Sequence, residues 1–261
     1  MCLPLTKKFQ SITNKIPPVI TLALIVFVWY LICDRQLVSP TMLPSPKATL
    51  QVLVKDFPIL MRHAKTTLTE AFIGLGIGIG LAFVCAVLMD RFKVLYHALY
   101  PILVITQTIP TVALAPILIL WLGYEMEPKI ALVVLTTFFP IAVSLLDGYR
   151  SVDPDEIRLL RSMGANRVQT FLLIKFPAAL GSFFSGLKIS ASYAVVGAVI
   201  SEWIGGFEGL GVYMTRVRKA YAFDKMFAVI LFIIAVSLLL MLLVTVLRTL
   251  VMPWERKTKT K

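Results

Sequence analysis

The stretch DPDEIRLLRSMGANRVQTFLLIKFP, Asp153 to Pro177, is charged and broken by a glycine, and it interrupts a chain that is otherwise apolar over long runs. Asp153, Pro154 and Glu156 read as an N-cap, a first-turn proline and a capping-box carboxylate, so a helix is expected to begin there. Ile157, Leu160 and Met163 recur at spacings of three with Leu159 beside them, while Asp155, Glu156, Arg158, Arg161 and Ser162 take the remaining positions. Gly164 supplies a left-handed stop, and Asn166 with Gln169 offers a second capping box for a helix running to Pro177. The segment therefore reads as helix, glycine turn, helix: a stiff polar knob held between apolar stretches.

Around it, the 261 residues are 58% hydrophobic and only 15% charged, with a mean hydropathy of +0.86, which belongs in a bilayer rather than in water. A span needs roughly 20 apolar residues. Runs of that order lie near 18–33, 68–89, 98–121, 129–147, 183–203 and 226–250. The expected fold is an all-α integral membrane protein of about six transmembrane helices, one membrane domain over 1–261, with the knob inside a loop at 148–182. Val19 to Cys33 is short and follows Pro17 and Pro18, but no small-residue cleavage site follows it convincingly, so it reads as an anchor helix. Trp29, Trp121, Trp203 and Trp254 all fall near expected span ends, as interfacial belts require. The net charge of +12 could suggest nucleic acid or anionic lipid, yet its distribution speaks for topology. Fifteen of the 26 basic residues fall on the side shared by both termini, which the positive-inside rule places in the cytoplasm together with the knob.

Sites for catalysis are missing from the pattern. Gly181 to Ser190 comes one residue from a phosphate cradle, but Leu187 is inserted and no strand precedes it. Gly74, Gly76, Gly78 and Gly80 alternate too strictly for a dinucleotide fingerprint and lie within a span, where they would let another helix approach closely. His63 and His97 are far apart, and Cys2, Cys33 and Cys85 have no metal-ligand spacing. No catalytic, metal or cofactor site is expected in this chain.

The spacing from Gly164 through nine residues to Ile174-Lys175-Phe176-Pro177 resembles the EAA loop of binding-protein-dependent ABC importer permeases, whose pattern is EAA, three residues, glycine, nine residues, I-x-L-P. The EAA positions are Arg158, Leu159 and Leu160, and the leucine before the proline is Phe176, so the spacing and the glycine match while the name-giving letters differ. LPSP at Leu43 to Pro46, QTIPTVALAPILILWLG at Gln107 to Gly123 and EWIGGFEGLG at Glu202 to Gly211 resemble the branch that carries sulfonates, taurine, nitrate and thiamine precursors. The resemblance implies a type I importer permease fold with a cytoplasmic coupling helix. That helix would dock on a separate ATP-binding subunit through Asp153, Glu156, Ile157, Arg158, Leu160, Arg161, Met163 and Gly164, with ATP and magnesium held by that subunit. It further implies an extracytoplasmic substrate-binding protein and a pair of permease chains, preferably two copies of this one because its spans show no internal duplication.

Ionisable and polar groups within spans are functional candidates by default. Gln107, Thr108 and Thr111 surround Pro110, and Ser190, Ser192 and Tyr193 form a polar patch in the fifth span. These residues are candidates to line a path, with local repair of a proline-broken helix as the competing reading for the first three. Glu202 opens the family's outer-loop stretch and is a candidate gate or loop-positioning residue. Lys188 lies about a turn and a half into the fifth span, where snorkelling to the cytoplasmic surface is preferred over a substrate role. Glu70 reads as interfacial, and the 34–67 segment is expected to hold an interfacial amphipathic helix. Two other readings compete: an ion-coupled carrier, which would want midplane acids or matched broken helices, and a membrane scaffold whose knob binds some other protein.

Overall fold

A computed structural model describes residues 16–39 and 41–254, so Cys2 and the basic residues Lys7, Lys8, Lys15, Arg256, Lys257, Lys259 and Lys261 lie outside the described residues. The chain divides into two compact units, Met1–Pro58 with Arg216–Leu231 and Ile59–Thr215 with Phe232–Lys261.

In the first unit, α1 (Ile16–Asp34) is apolar on every side, and none of its Pro17–Asp34 window is buried by the protein, as befits a helix surrounded by lipid. The short α2 (Pro46–Lys55) starts at the LPSP turn: Ser45 Oγ accepts from the Ala48 N–H at 3.2 Å, and Pro46 occupies the first turn. Trp29 Nε1 donates to the Pro44 carbonyl at 3.1 Å, tying that turn to α1. Asp56 and Lys225 pair at 2.9 Å.

The second unit takes α3 (Phe57–Arg91) from Ile59 onward, α4 (Lys93–Thr108), α5 (Thr111–Leu122), α6 (Glu127–Arg150), α7 (Pro154–Ser162), α8 (Arg167–Thr170) and α9 (Phe176–Ile204). It also takes most of α10 (Leu210–Lys219), together with α11 (Phe223–Val251) from Phe232 onward. Its core is rich in small side chains from α3, α6 and α9: Ala71, Ala82, Ala86, Ala142, Ala191, Ala194 and Ala198 belong to one buried cluster with Ile141, Leu145, Leu240 and Val244. A methyl group on Gly78 would stand 2.5 Å from Thr137 Oγ1, so α3 and α6 touch there backbone to side chain; Gly76 and Gly80 face open space.

The structure departs from the expected spans in two places. The third apolar run is not one straight span: α4 and α5 meet at 101° across Ile109 and Pro110. Pro110 has no N–H to donate and drives Ile109 into the extended region, φ −79° and ψ 122°, so the helical ladder stops there. Among the described residues there are five helices long and apolar enough to cross a membrane, six if the bent pair counts as one. Secondly, the helix that begins at Arg167 does not end at Pro177. A π turn over Phe171–Lys175, in which the Phe176 N–H bonds the Phe171 carbonyl, joins α8 to α9 in one helical run of 38 residues from Arg167 to Ile204. The wider turn shifts the pairing so that the missing N–H of Pro177 falls at the start of α9, where it disturbs least.

Candidate functional site

The knob forms as its caps dictate. Asp153 Oδ1 accepts from the Asp155 N–H at 2.8 Å, and the acids of the first turn lie at the positive end of the α7 dipole. At the other end Gly164, with φ +89°, closes a Schellman turn: its N–H bonds Arg161 O at 3.0 Å, and the Ala165 N–H bonds Leu160 O at 3.2 Å. Asn166 and Gln169 form a reciprocal capping box, both bonds at 2.8 Å. Glu156 stays exposed and closes no box on Asp153. The apolar positions divide differently from the expected stripe: Ile157 and Leu160 are half-buried, while Leu159 (64% exposed) and Met163 (75%) project from the knob. Arg158 pairs with Asp155 at 2.9 Å in full solvent, a contact worth little by itself. Arg161 turns towards a recess of about 540 Å³ that it shares with Arg91, Arg167 and the Asp90–Lys175 ion pair, whose atoms approach to 2.7 Å.

A second cluster surrounds Glu202 near the end of α9. Helix α10 begins with three N–H groups that have no intrahelical partner, and each is taken by a side chain from elsewhere. The Gly209 N–H donates to His63 Nδ1 at 3.2 Å, the Leu210 N–H to Thr67 Oγ1 at 2.9 Å and the Gly211 N–H to Glu202 Oε2 at 2.7 Å. Thr67 Oγ1 in turn donates to Glu202 Oε1 at 2.7 Å, so both carboxylate oxygens are used. Gly209 sits at φ +131°, and a methyl group there would overlap the Glu202 carboxylate. Beside them Glu70, fully buried, faces the Lys129 ammonium at 3.4 Å. These contacts tie the start of α10 to α3 and to the end of α9, with Glu202 buried among them. His63, Thr67 and Glu70, which sequence reading left unassigned or interfacial, share one face of α3 at spacings of four and three; that spacing was the available signal.

Near the break between α4 and α5 lies a cavity of about 450 Å³, walled by Thr106, Gln107, Ile109, Pro110, Thr111 and Leu114 from the bent pair, Leu135 and Thr136 from α6, and Tyr193, Val196, Gly197 and Ile200 from α9. Gln107, Thr111 and Tyr193 thus come together as wall residues. Thr108 is exposed and bonds back to the Ile105 carbonyl at 2.8 Å. Ser190 is buried and donates to the Thr137 carbonyl at 2.9 Å, joining α9 to α6. Ser192 is half-buried outside the cavity wall. Thr106 and Thr136 were missed because each returns its hydroxyl to its own helix backbone and gives no distinct sequence pattern. The result is a mostly apolar pocket with a few small polar groups, shaped by a proline break, and of a size to hold a small solute.

Comparison with known proteins gives concordant findings. The family model described as "Binding-protein-dependent transport system inner membrane component" matches residues 74–257. A "Probable ABC transporter permease protein" of Haemophilus influenzae is 34% identical over 223 residues, covering 85% of this chain and 91% of the relative. The "Formylaminopyrimidine transport permease protein ThiX" of Halalkalibacterium halodurans is 34% identical over 241 residues, covering 92% of this chain and 96% of the relative. Among solved structures, one titled "Crystal structure of an amino acid ABC transporter with histidines" superposes with a TM-score of 0.61 at 17% identity, over 78% of this chain and 96% of that one, a likeness of fold.

Proposed function

As a member of the family of binding-protein-dependent transport system inner membrane components, the chain is the membrane permease of an ABC importer for small solutes, and we propose how its parts divide that work. The knob is the docking element for an ATP-binding subunit, which holds ATP and magnesium and whose closure is passed through α7 into the spans. The observation that carries this reading is α7 itself, a nine-residue helix locked at both ends by caps yet leaving Leu159 and Met163 uncovered. Stiffness transmits force, exposed apolar side chains give a partner something to bury, and the charges at Asp153, Glu156, Arg158 and Arg161 set the register of contact.

The cavity beside the α4–α5 break is the solute's station during alternating access, and the loop braced by Glu202 faces the outside, where an extracytoplasmic binding protein delivers its cargo. Both termini lie in the cytoplasm with the knob, and two copies of the chain form the path. The substrate we assign is a pyrimidine precursor of thiamine or a related heterocycle. Its support is the 34% identity over 92% of this chain with a formylaminopyrimidine transport permease.

Purification from native membranes in mild detergent, followed by mass spectrometry, tests the reading. An ATP-binding subunit should co-purify and be lost when Arg158 and Arg161 are both changed to Glu. Its companion binding protein should retain the pyrimidine in preference to taurine, sulfonates or nitrate. Recovery of no ATPase with the unaltered chain would overturn the docking role and favour an ion-coupled carrier or a scaffold. A binding protein that prefers an anion would overturn the substrate alone.

A further inference from the structure

Among the described residues, three lysines are matched by acids: Lys129 by Glu70, Lys175 by Asp90 and Lys225 by Asp56. Lys188, in the middle of α9, has no such partner. It is exposed, and no described residue gives it a hydrogen bond or an ion pair. Its depth matters. Thirteen residues separate it from the paired Lys175 and fifteen from Trp203 near the end of α9. At 1.5 Å per residue those distances are about 20 and 22 Å. A lysine stem reaches roughly 6 Å, short of either of those positions along α9. An unpaired cation at this depth is not stable against hydrocarbon and faces water or protein.

The ridge it belongs to says which. Lys188, Ser192, Val196 and Ile200 follow one another at steps of four, so their side chains stand in one row along α9. Val196 and Ile200 line the cavity at the α4–α5 break, with Tyr193 beside them. Lys188 therefore stands about two turns, about 12 Å, from Val196, the first wall residue of that row, on the side nearer the knob.

We propose that this row of α9 faces the water-filled solute path and that Lys188 makes the inner half of the path an electrostatic filter, which admits neutral and anionic solutes and holds organic cations back. The proposal rests on the permease reading and deepens it by naming a substrate class. A single uncompensated charge between low-dielectric walls acts over the width of a path because its field is focused rather than screened. If the path is formed by two copies, the second brings its own Lys188 and the effect is doubled.

The test uses the assembled transporter in native membrane vesicles, with the native cysteines replaced and Ser192→Cys introduced one turn from Lys188. Two thiol reagents of similar size are applied, the anionic sulfonatoethyl and the cationic trimethylammonium-ethyl methanethiosulfonate, with rates normalised to a free thiol. The anionic reagent should react faster, and adding Lys188→Gln should lower the anion-to-cation rate ratio about ten-fold, whereas Lys188→Arg should preserve it. A ratio unchanged by Lys188→Gln overturns the filter. A Ser192→Cys or Lys188→Cys chain that is present in the membrane but unreactive to both reagents overturns the placement on the path. Failure of the permease reading would show separately, as an ATP-binding subunit absent from the purified chain.

Discussion

Glu202 holds the start of α10 by accepting from the Gly211 N–H and the Thr67 hydroxyl, both buried. In Glu202→Ala the Gly211 N–H loses its acceptor while Thr67 keeps the His63 carbonyl at 3.3 Å, and a buried group left unsatisfied costs about 1–3 kcal/mol, so a loss in that range is expected. Thermal unfolding of the detergent-solubilised protein measures it: Glu202→Ala should melt well below the unaltered chain, and Thr67→Val by a smaller interval. An unchanged midpoint for both would mean that the brace contributes nothing. Sequence alone marked Glu202 through the stretch it opens, but the partners were not legible in the same way. Glu70 resembles an interfacial carboxylate until α3 is seen to begin at Phe57 rather than near 68. Lys129 is then close enough to face it at 3.4 Å. A buried ion pair depends on which helix faces are apposed, and no local pattern encodes that.

Among the elements, α7 and its turn were the most legible, because caps are short-range chemistry. Asp153, Gly164 and the Asn166–Gln169 pair each act within three residues of themselves. What periodicity did not separate was which side of α7 rests on its own chain: Ile157 and Leu160 are half-buried, and Leu159 and Met163 are exposed. Gly164→Val tests the turn. A β-branched residue at φ +89° carries a penalty of about 1–2 kcal/mol. That is enough to distort a nine-residue helix without unfolding the spans. The variant should reach the membrane in normal amount while solute no longer stimulates the partner's ATP hydrolysis; stimulation at the normal level would separate α7 from coupling. The break at Pro110 was visible as a proline in an apolar run, but its 101° bend was not, since prolines at 101, 116 and 140 lie inside helices that continue.

For the whole molecule, the decisive arrangement is which ends of the second unit share a side. Arg62 lies near the start of α3 and is exposed beside Glu208, while Arg161 lies on the knob near Arg91 at the far end of that helix. A helix of 35 residues is about 50 Å long, longer than the hydrocarbon layer is thick. With the proposed orientation, a cysteine at Arg161 should react with an impermeant reagent only from the cytoplasmic side, and one at Arg62 only from outside. The reverse pattern would invert the molecule and remove the knob from any cytoplasmic ATPase. Charge counting led to the orientation, composition to the membrane, and spacing to the knob. The cavity needed three-dimensional structure, because its wall joins residues from 106 to 200 whose polar members are individually ordinary.

The π turn at Phe171–Lys175 sets a rotational phase. One residue more than an α-helix would use is wound into the link between the knob and α9, and one residue of α-helix corresponds to about 100° about the axis. Deleting a single position there would leave every cap and every span intact while turning the knob about a quarter of a revolution relative to α9. Chain length through these five residues is thus part of the machine's timing, and in related sequences it should vary far less than their identities do.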